Sequence, residues 1–369
     1  MSNEQKKLLL DVRIPYCVRP ERYQNRVFAV GSNAEKNAYM AALKREVLSW
    51  EGELDGYEIQ AVRLSGGSAT VMSPDLLGDL LTTIRKVLPV KHDAEVSVDA
   101  HPLTIGTPAL TGIAAGHPTR IELMMRSDSE EELKTLGCAF QKQHVRNAML
   151  FLNRFHMNNL GLTVNVGIPG QTEASWHNTL HACTIMRPGH ITLEPCVEQA
   201  GEGEALPDAQ TRFALYAQAC EFLEGEGYRQ YAARHFCLPQ HGFRYALLRM
   251  DGAEVLGLGA GAVSRFDGYL TRGINKLSLY IQNAGNFEKT TAEALEWTEA
   301  LAMRDYLAQR LCSTEGLEVA AFEARFQTAI PTELEAMLQE RAEQGLLLSE
   351  PGRYRPTRKG LYEAAKEND

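Results

Sequence analysis

The chain has 369 residues, 44% of them hydrophobic and 23% charged, with a formal net charge of −9. That is apolar enough for one large domain and a smaller one. The acidic balance excludes a general nucleic-acid binder, which needs a basic excess against phosphate, and no apolar run approaches the roughly 18 residues that span a bilayer.

In chain order, the polar start Met1–Lys7 precedes only the short apolar stretch Leu8–Leu10, too brief for a signal peptide, so a cytoplasmic chain is expected. Leu8–Pro15 reads as a buried strand and Asn33–Glu51 as a helix capped by Asn33. Ile59–Leu64 is a strand running into the turn Ser65-Gly66-Gly67-Ser68, and Ser73-Pro74 opens a helix to Val87, with proline at the first helical position. Strands follow at Ala94–Asp99, Thr119–Met124, Leu162–Val166 and His190–Glu194. Helices fall between them at Thr107–Ala115, from Glu130 behind the cap Ser129, at His144–Asn158 and at Glu173–Arg187. This βα rhythm predicts an α/β fold of parallel strands with helical crossovers, a partial (β/α)6 barrel whose ligands sit at the strand C-terminal ends. The segments around Cys17, Ser65–Ser68, Asp99, Arg126 and Gly167–Gln171 then share one mouth.

The tail changes character. A long helix Thr291–Leu311, helices Glu318–Phe326 and Thr332–Gln344, a hairpin over Gly345–Pro356 and a last helix Thr357–Ala365 predict a winged-helix-like module. Its helices are rich in glutamate, which points to packing or to a protein partner rather than to DNA. The expected division is 1–285 for the barrel and its extension and 286–369 for the small domain.

The seven cysteines, Cys17, Cys138, Cys183, Cys196, Cys220, Cys237 and Cys312, include no C-x-x-C pair. An odd number of widely spaced thiols points to reduced side chains, mostly used as small apolar groups.

Several segments together resemble the oxygen-independent coproporphyrinogen III oxidase and haem-chaperone family of radical-SAM proteins. Ile14-Pro15-Tyr16-Cys17 is similar to its entry to a C-x-x-x-C-x-x-C motif, Ser65-Gly66-Gly67-Ser68-Ala69-Thr70 to its glycine-rich turn, and Asp99-Ala100-His101-Pro102 to its E-A-N-P segment. Ser129–Gly137, Gly167-Ile168-Pro169-Gly170-Gln171-Thr172, Leu193-Glu194-Pro195 and Gly257–Ala262 continue the match, and the tail from Gly316 to Leu361 resembles the family's C-terminal domain. The resemblance implies a radical-SAM barrel whose cofactors are a [4Fe–4S] cluster and S-adenosylmethionine. It makes Cys17, Glu21 and Gln24 the three cluster-ligand positions, two of them without sulfur, and Gly66, Gly67, Ser68, Asp99 and Arg126 a vestigial S-adenosylmethionine site. Carboxylate and amide oxygens are poor substitutes for thiolates on iron–sulfur clusters. Departures recur where the family contacts its cofactor: Asp11 for Tyr, Arg13 for His, Arg126 for Gln, Cys138 for Arg and Thr163 for Asp.

Three readings follow. One is a pseudoenzyme without cluster or other cofactor that binds a tetrapyrrole or a protein partner. Another is an active enzyme with an atypical cluster. The third is a haem-binding protein, with His235, Cys237, His241 and Tyr245 as candidate axial ligands. Arg13, Arg63, Arg120 and Arg126 either present guanidinium groups to a carboxylate-bearing ligand or pair with Asp11, Asp99 and Glu21 in an emptied mouth. His177 and His181, four apart on one helix, read as surface histidines rather than a metal site.

Overall fold

The computed structural model describes residues 5–24, 29–198 and 204–367. Six parallel strands, β1 (Lys6–Ile14), β2 (Tyr57–Gly66), β3 (Val90–Ala100), β4 (Arg120–Arg126), β5 (Leu160–Val166) and β6 (His190–Pro195), lie side by side in chain order. The crossovers are α1 (Asn33–Ser49), α2 (Pro74–Val87), α3 (Thr107–Ala114), the pair α4 (Glu130–Thr135) and α5 (Lys142–Arg154), and α6 (Glu173–Ile185). Beyond β6 come α7 (Ala209–Gly225), the short strands β7 (Arg229–Gln230) and β8 (His235–Cys237), α8 (Arg244–Met250) and β9 (Glu254–Leu258). β9 returns to pair in parallel with β1, and an antiparallel run continues through β10 (Val263–Phe266), β11 (Tyr269–Gly273) and, after α9 (Leu277–Asn283) and α10 (Phe287–Thr290), β12 (Thr291–Glu296). The sheet therefore has twelve strands, with β12 at one end and β7 at the other.

The chain closes with α11 (Glu299–Arg310), β13 (Leu317–Glu318), α12 (Val319–Phe326), α13 (Thr332–Glu343), the hairpin β14 (Leu347–Glu350) and β15 (Arg353–Pro356), and α14 (Arg358–Glu367). The helix, helix, hairpin order agrees with the sequence, and β13 adds a third strand beside β15. This segment has its own apolar cluster around Leu307, Leu317, Phe322 and Leu338.

Two local expectations are corrected. The cap of α1 is Ser32, not Asn33: its hydroxyl accepts the Glu35 amide while the Glu35 carboxylate accepts the Ser32 amide, a reciprocal box that fixes the helix start. Thr291–Glu296 is not helical. It forms an edge strand against β11, so pairing overrides the helix propensity of Ala-Glu-Ala-Leu-Glu, and the helix begins only after the Thr298 cap.

Residues with even numbers in β1, such as Leu8, Leu10, Val12 and Ile14, pack under the helices in the main core. Their odd-numbered neighbours Asp11 and Arg13 face the opposite side, as the strand period requires. The same alternation gives the other strands a polar inner face: Arg63 and Ser65, Glu95, Ser97 and Asp99, Arg120 and Glu122, Thr163 and Asn165, His190, Thr192 and Glu194. The lumen is thus lined by charge while the layer between sheet and helices is apolar. This is the fold that places the site.

Candidate functional site at the barrel mouth

The mouth is built where β1, β2, β4 and β6 end. After Ile14 the chain turns inward, and the Cys17 amide donates to the Ala29 carbonyl at 3.0 Å, while the Ala29 amide donates to the Pro15 carbonyl at 2.8 Å. The turn after β2 packs directly on this loop. The Ser68 amide donates to the Tyr16 carbonyl at 2.9 Å, and a Cβ on Gly67 would fall on that carbonyl oxygen, so only glycine fits. Gly66 holds φ at 99°, a left-handed value open to glycine, and a Cβ there would lie 2.6 Å from Cγ of Arg13. Arg13 in turn donates from Nη1 to the Gly261 carbonyl at 3.0 Å. The close approach these glycines permit is therefore filled by the chain itself.

Arg126 lies at the centre. A register shift between Met124 and Arg126 bends β4, and Arg126 adopts φ of 64°, which is strained for a side-chain-bearing residue. Its Nε donates to Glu21 Oε2 at 2.9 Å, and its Nη1 donates to Glu194 Oε2 at 2.6 Å and to Asn165 Oδ1 at 3.3 Å. The side chains of Arg126 and Glu21 are 4% and 1% exposed, so this ion pair is sealed from water. Burial opposes the Arg126 charge, but the Glu21 and Glu194 carboxylates hold its pKa above the ordinary guanidinium value. Gln24 donates its side-chain amide to the same Glu21 oxygen. Glu21 is thus bonded to both Gln24 and Arg126.

Three thiols surround this pair. Burial pushes the Cys17 thiol up. Burial, then the adjacent Glu21 carboxylate, pushes Cys138 up. Burial pushes Cys196 up to about 12, with the Asn165 amide donating to its sulfur at 3.8 Å. Among the described residues no group of three or more histidine, cysteine or acidic side chains is arranged to hold a metal ion. The three thiols border a space that the Glu21–Arg126 pair fills, and they are not gathered on one point as three thiolates on a cluster must be.

Below the mouth, Asp99 pairs with Arg63 at 3.5 Å, and Asp11 accepts from Ser65 Oγ at 3.0 Å. Ser68 Oγ donates to the Asp99 carbonyl at 3.4 Å. The arginines are therefore engaged by the protein's own carboxylates and carbonyls, which favours the ion-pair alternative raised by the sequence. Glu132 explains two of the matched loops. It accepts from Ser127, Gln171 and Ser175, and Gln171 Oε1 accepts the Gly167 amide at 2.8 Å, so these motifs knit α4 to the loop after β5.

The floor of the barrel carries a second network. Arg120 is fully buried and donates to Glu95 at 3.0 Å and Glu122 at 2.9 Å, and from Nη2 to the His241 and Gly242 carbonyls at 2.6 and 3.0 Å. Burial opposes the Glu122 charge, yet His190 and Arg120 bring its carboxyl down to about 2. His190 lies 3.4 Å from Glu122 and bonds Tyr231 OH through Nε2 at 2.9 Å. The candidate haem ligands belong here. His235 stacks on His190 at 5.3 Å and on Tyr231 at 5.7 Å, and Tyr245 stacks on Phe243 at 5.9 Å. Burial, then His190, holds the His235 ring well below the usual histidine range. His241 covers Gly189 and contacts Asn159 Oδ1 at 3.4 Å, and Cys237 pairs with His190 through the backbone. The four do not converge on one point. His177 and His181 are stacked neighbours on α6, centroids 6.5 Å apart, and Cys183 is buried away from them in the core.

Sequence reasoning named Cys17, Glu21, Gln24 and Arg126 but missed Glu194 and Asn165 as their partners and Glu95, Glu122 and His190 as the floor. The signal was present: polar residues at every second position of strands otherwise made of Leu, Ile and Val mark a charged lumen.

A large, helix-wrapped sheet of parallel strands followed by a small C-terminal helical domain matches the HemN radical-SAM fold. The sequence pattern of the HemN C-terminal domain matches residues 298–362. The haem chaperone HemW of Lactococcus lactis is 22% identical over 357 residues, 94% of this chain and 93% of the relative. The haem chaperone HemW of Escherichia coli is 24% identical over 261 residues, 69% of each chain. The oxygen-independent coproporphyrinogen III oxidase of Cereibacter sphaeroides is 24% identical over 89% of this chain and 78% of its own. In structure, coproporphyrinogen III oxidase (HemN) from Escherichia coli, a radical SAM enzyme, superposes with a TM-score of 0.83 at 18% identity, covering 98% of this chain and 89% of that one. The matched C-terminal pattern, the relatives and the fold together support a HemN/HemW-like radical-SAM family member.

Proposed function

We propose that this chain is a non-catalytic member of its family, a pseudoenzyme that has lost cluster binding and S-adenosylmethionine cleavage and serves as a binding protein in tetrapyrrole handling. One observation carries the reading: Glu21, at one ligand position by resemblance, is committed to a buried ion pair with Arg126, and Gln24, at another, donates to that same Glu21 carboxylate. Reductive cleavage of S-adenosylmethionine needs an electron from a low-potential cluster with an open iron. A guanidinium sealed between two carboxylates supplies neither. Arg13 packs against Gly66 and the Tyr16 backbone against Gly67, so the chain itself fills the approach to the glycine-rich turn.

The binding role is supported by the near full-length relatives named haem chaperones. The partner is a tetrapyrrole or a protein engaged through the C-terminal domain, and the chain works without a bound cluster. Anaerobically reconstituted protein, given S-adenosylmethionine and a strong reductant, should release no 5′-deoxyadenosine. Reductant-dependent release would establish an active enzyme with an atypical cluster instead. Titration with haemin tests the binding role: a saturable Soret shift is expected, and an unchanged spectrum removes haem as the ligand. His235→Ala and His241→Ala then report whether the floor segment holds the iron.

A further inference from the structure

We infer that the cleft between the sheet and the C-terminal domain is a phosphate site, taking inorganic phosphate or the terminal phosphate of a small ester. The cleft lies at the start of β9, the end of that strand away from the mouth. Three guanidinium groups line it: Arg249 from α8, Arg265 from β10 and Arg325 from α12. Two carboxylates, Glu254 and Asp305, line it with them, so one positive charge is left over. Asp305 serves two of the arginines at once. Its oxygens accept from Arg249 Nη2 at 2.9 and 3.0 Å, and Oδ1 lies 3.5 Å from Arg265 Nη1. Glu254 accepts the Asp267 amide at 3.3 Å. Among the described residues no carboxylate pairs with Arg325, which donates to the Asp251 and Gly252 carbonyls at 3.4 and 2.8 Å. A donor is left over as well: Arg265 Nε is buried and finds no acceptor among the described residues, a state that a bound oxygen relieves.

Aromatic rings hold two of the guanidinium planes. Arg265 lies over Trp297 with its carbon 5.8 Å from the ring centroid, and Arg325 over Tyr306 at 5.2 Å. Stacking engages the face of a guanidinium and leaves its N–H edge for oxygen acceptors. Gly252 admits Arg325: a Cβ there would lie 3.0 Å from Arg325 Nη2 and from the Tyr306 ring. The cleft measures about 170 Å³. That is room for a small oxoanion and a few waters at about 30 Å³ each, and too little for a tetrapyrrole. The guanidinium groups come from three separate elements. A tetrahedral oxoanion, with oxygens in several directions, suits them better than a planar carboxylate, and its charge matches the surplus.

Calorimetric titration of the full chain with orthophosphate at low salt tests this, with one saturable site and a phosphate-dependent rise in Tm expected. Arg265→Met and Arg325→Met should each raise the dissociation constant at least about tenfold. Arg304→Met removes an exposed arginine that pairs with Glu333 and does not line the cleft, and should leave binding unchanged. Acetate should bind at least about tenfold more weakly than phosphate. Phenyl phosphate separates the two sources: tighter binding than orthophosphate assigns the site to a terminal phosphate, and weaker binding to the free ion. Absence of both the saturable heat and the rise in Tm overturns the inference. So does binding that Arg325→Met leaves intact, that Arg304→Met weakens equally, or that acetate matches. If Arg265→Met fails to fold, the exposed Arg325 decides alone.

Discussion

The two arginines of β4 mark the two ends of the barrel, and they are not alike. Arg120 at the floor and Arg126 at the mouth are both buried and each is bridged to two carboxylates. Arg120 also donates to two backbone carbonyls of the segment that closes the barrel. It sits in regular strand geometry. Arg126 makes its bonds from a left-handed backbone at a bulge, and its partners are side chains only, among them Glu21 on the loop after β1 and Glu194 at a strand end. The floor arginine ties the His241–Gly242 segment to β3 and β4, beside the bonds that segment and its neighbours make to Asn159, Tyr231 and Glu95. The mouth arginine fills the space between Glu21, Asn165 and Glu194. A buried ion pair is weak evidence for stability but strong evidence about what else the space can hold.

Arg120→Met should have the largest effect. It strands Glu95 and Glu122 and frees the His241–Gly242 carbonyls, at a cost of about 4 kcal/mol, measured by denaturant midpoint.

Acid gives the next effect. His101 is buried with Nδ1 accepting the Leu103 amide at 3.2 Å. Burial, then Arg126 and His144, lowers its pKa to about 4. The unfolded chain takes up a proton as pH falls through the ordinary histidine value near 6.5, while the native ring does not until about 4. Stability is therefore complete above that value and falls between the two, by about 3 kcal/mol in total. His235 acts in the same direction. Denaturant midpoints across this window should fall with acid, and His101→Gln should flatten the slope.

Arg126→Met alone should cost about 2–3 kcal/mol, because Glu21 loses its partner while Glu194 is partly solvated. The double variant Glu21→Leu/Arg126→Met should return to within about 1 kcal/mol of wild type. A double variant as unstable as Arg120→Met would make the mouth a structural keystone equal to the floor and erase the contrast.

The six parallel strands were legible because each is an apolar run followed by a helix with a visible start, such as Pro74 or Ser129. The region from β7 to β12 was not, because its strands are two to six residues long and punctuated by glycine. Pairing with β1 and β11 across the sheet, not local pattern, makes them strands. At the site, the absence of sulfur at Glu21 and Gln24 is plain in the sequence. The contact from Glu21 to Arg126 is not, since it spans 105 residues. The segment from His235 to Tyr245 read as a cluster of ligands because residue type carries no direction. The fold turns those rings into stacking layers and uses the backbone between them as an acceptor for Arg120.

The claim that the mouth cannot seat an iron–sulfur centre is tested most directly by iron and acid-labile sulfide analysis with ⁵⁷Fe Mössbauer spectroscopy. The protein should be produced and reconstituted without air for this measurement. The account predicts only substoichiometric iron and no [4Fe–4S] quadrupole doublet. A stoichiometric cluster with the matching doublet, lost on Cys17→Ser, would contradict it.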